Sequence, residues 1–137
     1  MIKTTLLWLL RLGIGLLFLY SGLIKIMDPH RFAESTANYL ILGDRAVILT
    51  AIYLPWLEVW TGLAILLLPP MRSAAWLLIT LMLLVFTAAK ISALTRGLDI
   101  SCGCGTGEDP MTLLDVLENL LLLALTTAGL LLDRPKI

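Results

Sequence analysis

Residues 63–86 read LAILLLPPMRSAAWLLITLMLLVF: an apolar run, the four-residue break Pro69-Pro70-Met71-Arg72, and a second apolar run. Consecutive prolines stop a helix, because each lacks an amide hydrogen and the second restricts the residue before it. The flanking runs extend well past this stretch, from Arg45 to Leu68 and from Ser73 to Leu94. Each is long enough for a hydrocarbon core of about 30 Å, which takes roughly 20 helical residues. A tight turn between two such runs predicts a transmembrane helical hairpin.

Outward from the hairpin, Thr4–Met27 and Met111–Leu132 have the same length and character, with breaks at Asp28-Pro29 and Asp109-Pro110. Hydrophobic residues make up 59% of the chain and charged ones 15%, with mean hydropathy +0.95, far outside the range of a soluble domain. The expectation is an all-α integral membrane protein, one transmembrane domain over residues 1–137 with four helices in a bundle. A formal net charge of zero argues against nucleic acid as a partner. Lys3 before an apolar run imitates a secretory signal. Arg11 interrupts the run, however, and it continues to Met27 without a clear small-x-small cleavage site, so it reads as a retained helix.

Two longer polar segments remain. Asp28–Asp44 carries Phe32, Ala33, Ala37, Tyr39 and Leu40, which would form the apolar side of a short interfacial helix. Asp99–Pro110 carries both cysteines of the chain, Cys102 and Cys104, separated by Gly103. An even number of spans puts these two segments, and with them His30, on the face opposite the termini. Lys3, Arg72, Arg134 and Lys136 on the terminal face balance Lys25, Arg31, Arg45 and Arg96 on the other, so charge does not orient the chain. A disulfide-cycling loop suits an oxidising compartment, which predicts a bacterial-type cytoplasmic membrane with the cysteine loop on its outer face.

Charges within spans are costly and need partners. Counting 1.5 Å per residue from the span edges puts Arg11 and Glu58 at one depth, predicting an ion pair that fixes helix register. The same count puts Lys90 level with Asp115 and Glu118, beneath the cysteine loop. A lysine there would stabilise a thiolate, and a carboxylate could carry the proton moved during exchange. Asp115 also sits where a helix N-terminus favours a carboxylate regardless of function. Trp8 and Trp76 fall near the terminal interface. Trp56 and Trp60 flank Glu58 near mid-membrane with Tyr53 and Pro55, as a pocket for a quinone headgroup or as filling for the bundle core.

Thiols two residues apart can form a disulfide only through a turn, which Gly103 permits. Such a ring would be strained, and strained disulfides are the readily exchanging ones. It closes almost no chain, so a structural staple explains it poorly. The alternative is a soft-metal site, with Cys102, Cys104 and His30 holding Cu(I), Zn²⁺ or a heavier thiophilic ion such as mercury.

Arg11 with Gly15, Ser21-Gly22-Leu23-Ile24-Lys25, Asp28-Pro29, Leu54-Pro55-Trp56-Leu57-Glu58 with Gly62, and Cys102-Gly103-Cys104-Gly105 form an ordered set. The set resembles the MauE/DoxX family of redox-associated four-helix membrane proteins, and in particular its methylamine-utilisation MauE branch. The resemblance implies support of disulfide formation in a periplasmic enzyme beside a thioredoxin-like partner, while DoxX-type relatives imply quinone-coupled sulfur oxidation. Gly105-Thr106-Gly107 departs from the pattern, where an aromatic is expected before the next glycine. Residues and resemblance together predict a membrane-anchored thiol–disulfide redox protein. It would act on a thioredoxin-like or secreted partner with Cys102 and Cys104, tuned by Lys90, Arg96, Asp115 and Glu118.

Overall fold

The structure, a computed structural model, describes residues 1–41, 43–97 and 112–133. The long helix α1 (Ile2–Met27) ends at Asp28, whose carboxylate accepts from the backbone N–H of Arg31 at 3.1 Å and so caps the short helix α2 (Pro29–Asn38). Pro29 opens α2 where no amide hydrogen is needed. Helix α3 (Asp44–Leu67) runs back, a single 3₁₀ turn over Pro69–Met71 reverses the chain, and α4 (Arg72–Thr95) follows. Helix α5 (Leu113–Leu132) starts two residues later than the apolar run suggests. Thr112 and Asp115 form a reciprocal capping box there, with the Asp115 carboxylate 2.6 Å from the Thr112 amide.

Four helical segments are long and apolar enough to cross a membrane, and the described residues contain no strand. The fold is therefore an all-α transmembrane bundle. Its loop end holds the C-termini of α1 and α4 and the N-termini of α3 and α5. Its terminal end holds the rest.

Small residues set the α1–α3 register. A Cβ on Gly15 would come within 3.2 Å of the Gly62 carbonyl oxygen, and one on Gly22 within 2.7 Å of the Pro55 carbonyl oxygen. Gly15 thus faces Gly62 and Gly22 faces Pro55, seven residues apart on each helix, as close apposition of membrane helices requires. Between α4 and α5, the indole of Trp76 lies against Gly129, where a Cβ would meet the ring at 2.7 Å. Trp76 is fully buried. It belongs to the core rather than to an interfacial belt, because glycine at 129 opens a slot for the ring and Asp133 accepts its N–H at 2.9 Å.

The interior divides along the bundle axis. Toward the terminal end lies a dry cluster that includes Ile14, Phe18, Ile65, Trp76, Ile79 and Leu83. Toward the loop end the buried side chains include Lys25, Glu58, Thr87, Lys90 and Asn119. Helix α2 packs mainly on α3 with Phe32, Ala33 and Tyr39 half-buried, while Ala37 and Leu40 face outward.

Candidate functional site

Two buried lysines organise the loop end. Lys25, on the last turn of α1, is 7% exposed, and its Nζ lies 2.8 and 3.0 Å from the two carboxylate oxygens of Glu58, itself 1% exposed. The same Nζ stands 4.9 Å from the ring centre of Phe32 on α2 and 5.5 Å from that of Phe86 on α4. One ammonium thus ties four helices together through a carboxylate and two aromatic faces.

The expected Arg11–Glu58 pair does not form. The glycine contacts set α1 against α3 so that paired positions sum to 77 (15 + 62, 22 + 55), which levels Glu58 with Leu19 and Arg11 with Leu66. Arg11 and Glu58 are then eight residues, or about 12 Å, apart along the axis. Counting depth from span edges failed because the two helices are offset rather than flush. Lys25, which sequence reading counted among the interfacial charges, supplies the partner instead.

Arg11 closes the terminal end. Its Nε donates to Asp133 Oδ2 at 2.9 Å and its Nη2 pairs with Oδ1, while the guanidinium lies over Trp8. Burial alone would raise the Asp133 carboxyl, but the hydrogen bonds from Arg11 and Trp76 and the charges of Arg11 and Arg72 outweigh it and hold the group below its ordinary value. The Asp133 carboxylate therefore ties the end of α5 to α1 and α4.

Lys90, on α4, is 3% exposed. Its Nζ donates to Asn119 Oδ1 at 2.9 Å and approaches the backbone carbonyl of Asp115 at 3.4 Å. Asn119 Nδ2 faces Thr87 Oγ1 at 3.5 Å, and that hydroxyl donates to the Leu83 carbonyl at 2.6 Å. The expected cluster of Lys90 with the carboxylates of Asp115 and Glu118 does not form. The Asp115 carboxylate turns to its own helix cap, Glu118 is exposed, and the ammonium rests on neutral oxygens. Among the described residues no carboxylate pairs with Lys90.

Asn119 was missed because the charges alone were matched by depth. The available signal was a lone amide inside Leu117–Leu123, four residues after Asp115 and hence one turn deeper on the same face.

The expected aromatic pocket of Trp56 and Trp60 around Glu58 does not form either. Glu58 points into the bundle, whereas Trp56 and Trp60 are 55% and 61% exposed on the outward side of α3. Residues two apart on a helix do not share a face. A shallow open groove beside Tyr53, Leu57 and Trp60 excludes Glu58.

His30 sits in the first turn of α2 with its side chain 88% exposed, Nε2 lying 3.5 Å from Glu34. Cys102 and Cys104 lie outside the described residues. Among the described residues no three His, Cys, Asp or Glu side chains are grouped to hold a metal. Arg96 donates to the backbone carbonyls of Tyr39 and Leu40, fastening the end of α2 to the end of α4. Leu40 there adopts φ 54°.

A bundle of four membrane-crossing helices with a polar, doubly lysine-bearing interior beneath one end defines a multi-pass membrane protein built around its loop-end connections. The family model described as methylamine utilisation protein MauE matches residues 3–132, and the chain belongs to that family. It is 35% identical over 133 residues to the methylamine utilization protein MauE of Paracoccus denitrificans, covering 93% of this chain and 70% of that protein. No solved structure matches.

Proposed function

We propose that this protein is the membrane part of a thiol–disulfide exchange system serving methylamine utilisation, the process for which its Paracoccus relative is named. Cys102 and Cys104 carry the chemistry. The bundle sits in a bacterial-type cytoplasmic membrane with the loop end facing outward, and the partner is a thioredoxin-like or secreted protein.

The observation that supports this reading is Lys90. Among the described residues no carboxylate compensates this buried ammonium, which rests on an amide and a carbonyl, and a buried charge is kept for a purpose or for an anion supplied from elsewhere. Lys90 lies five residues before the end of α4, and the segment bearing both cysteines joins that helix to α5, which supplies Asn119. A thiolate is the anion this arrangement suits.

In the exchange, a partner thiolate attacks one sulfur of the Cys102–Cys104 disulfide, forming a mixed disulfide and releasing the other sulfur as a thiolate. The partner's second thiolate then displaces the first sulfur. The partner leaves oxidised by two electrons, and the loop is left as a dithiol. Reoxidation sends two electrons and two protons to a membrane acceptor, for which a quinone is the proposed class.

Single Cys102→Ser and Cys104→Ser variants test the reading. One of them is expected to accumulate a mixed disulfide with its partner, visible on non-reducing gels and identified by mass spectrometry. No adduct in either variant, with stoichiometric Cu(I) or Zn²⁺ held by the unaltered protein and lost on chelation, would overturn exchange in favour of metal binding through Cys102, Cys104 and His30.

A further inference from the structure

We propose that Glu118 marks a docking face on α5 for a second, different membrane protein, one whose transmembrane helix carries a lysine or arginine at the same depth. This surface is independent of the thiol-exchange reading.

Helix α5 has 20 residues and is about 30 Å long, so it crosses a hydrocarbon core with nothing to spare. Glu118 lies about 7.5 Å along the axis from its first residue, Leu113, and next in sequence to Asn119, which meets the buried ammonium of Lys90. The Glu118 side chain nevertheless points out of the bundle. It is exposed, with Leu114 one turn above and Leu121 one turn below on the same face, 68% and 62% exposed. A carboxylate set among leucines on the outer side of a span is costly, and intramembrane ionisable groups almost always face protein or a water-filled cavity.

Nothing in this chain supplies the partner. Among the described elements α5 touches only α4 and α1. Their basic residues are engaged or distant: Lys25 is bound to Glu58, Lys90 to Asn119, Arg11 to Asp133 and Arg72 to the Ile65 carbonyl, while Lys3 stands in the first turn of α1 at the terminal end. Arg96, just past α4, is turned to α2. Residues 98–111 contain no lysine, arginine or histidine, and Arg134 and Lys136 follow the other end of α5, about 24 Å or more along the axis. Among the described residues Glu118 makes no ion pair.

Charge complementarity selects the occupant. A second copy docked through α5 would set carboxylate against carboxylate, and its own Lys25 and Lys90 are buried. A helix of another protein with one basic residue level with Glu118 meets the carboxylate with the opposite charge. Leu114, Glu118, Leu121 and Leu125 follow the spacing of a helix–helix seam, in which a single polar position fixes register and partner.

The test replaces Leu121 of the full-length protein by the photo-crosslinking residue p-benzoylphenylalanine, in membranes of the organism that makes it, and identifies the adducts by mass spectrometry. The expected adduct is a different membrane protein with a lysine or arginine inside one of its spans. Glu118→Gln should lower its yield about tenfold while leaving thermal unfolding in detergent at the parent temperature. Exchanging the charges, with Glu118→Lys here and the basic residue of the captured span changed to Glu, should restore the yield. Adducts with lipid alone, with a second copy, or with a protein whose spans lack a basic residue overturn the proposal. So do a yield that Glu118→Gln leaves unchanged, a fall in yield that accompanies a lowered unfolding temperature, and no recovery in the charge exchange.

Discussion

Lys25 and Lys90 lie at the same end of the bundle, equally hidden, and one has a carboxylate while the other has an amide. A single rule produces both outcomes. Long side chains on a helix lean toward its N-terminus. On α1 and α4 that direction is inward from the loop end, so both lysines sink. On α3 and α5 it is toward the loop end, so Glu58 and Asp115 rise. In the α1–α3 register Lys25 is level with Ile52 (77 − 25), six residues or about 9 Å nearer the loop end than Glu58. The two side chains therefore converge. Across α4 and α5, Lys90 Nζ comes within 3.4 Å of the Asp115 backbone carbonyl oxygen, while the two side chains part. The ammonium meets Asn119 a turn deeper, and the carboxylate meets Thr112 a turn higher.

The largest effect should come from breaking the converging pair. Glu58→Leu or Lys25→Leu removes one member of a buried ion pair among four helices and is expected to cost about 3–5 kcal/mol, while the double variant costs clearly less. Thermal unfolding in detergent reads both. Additive losses would show that the pair contributes no coupling.

Next is the register that makes the pair converge. Gly22→Ala sets a methyl 2.7 Å from the Pro55 carbonyl oxygen, a backbone atom that cannot rotate away. We expect a loss of about 1–3 kcal/mol, as overpacking typically brings. The same unfolding measurement should show that loss falling when Glu58→Leu is already present, since a displaced α1 no longer has a pair to weaken.

The smallest effect belongs to the diverging pair. Asp115→Ala removes only a helix cap, about 1 kcal/mol, and should leave cysteine alkylation unchanged at neutral pH. A slowed or accelerated alkylation in that variant would mean that the Asp115 carboxylate does act on the site.

The bundle was legible because its signals are local: apolar runs of membrane length, prolines at the breaks, and Asp28 before Pro29. The buried polar residues were legible only as a set. The Lys90 ammonium comes 3.4 Å from the Asp115 backbone carbonyl oxygen, but which side-chain atoms meet depends on the lean of antiparallel side chains, and a depth count by Cα position does not contain it. Arg11 and Glu58 were mispaired for a different reason. The glycine contacts slide α1 by about two turns relative to a flush alignment, and Gly15, Gly22 and Gly62 mark close approach without saying which faces which. Trp56 and Trp60 were drawn to Glu58 by nearness in sequence, although spacing of two sends helical residues to different faces. The family resemblance, by contrast, rested on ordered motifs spread along the chain and needed no geometry.

The central claim is that this membrane bundle carries a redox-active Cys102–Cys104 couple. Equilibrating the purified full-length protein in buffers of graded thiol–disulfide potential, then counting free thiols by the mass added with maleimide, tests it directly. The account predicts one cooperative two-electron transition between no label and two labels, tenfold in the oxidised-to-reduced ratio for each 30 mV or so. Two labels at every potential, with no disulfide form, would contradict it.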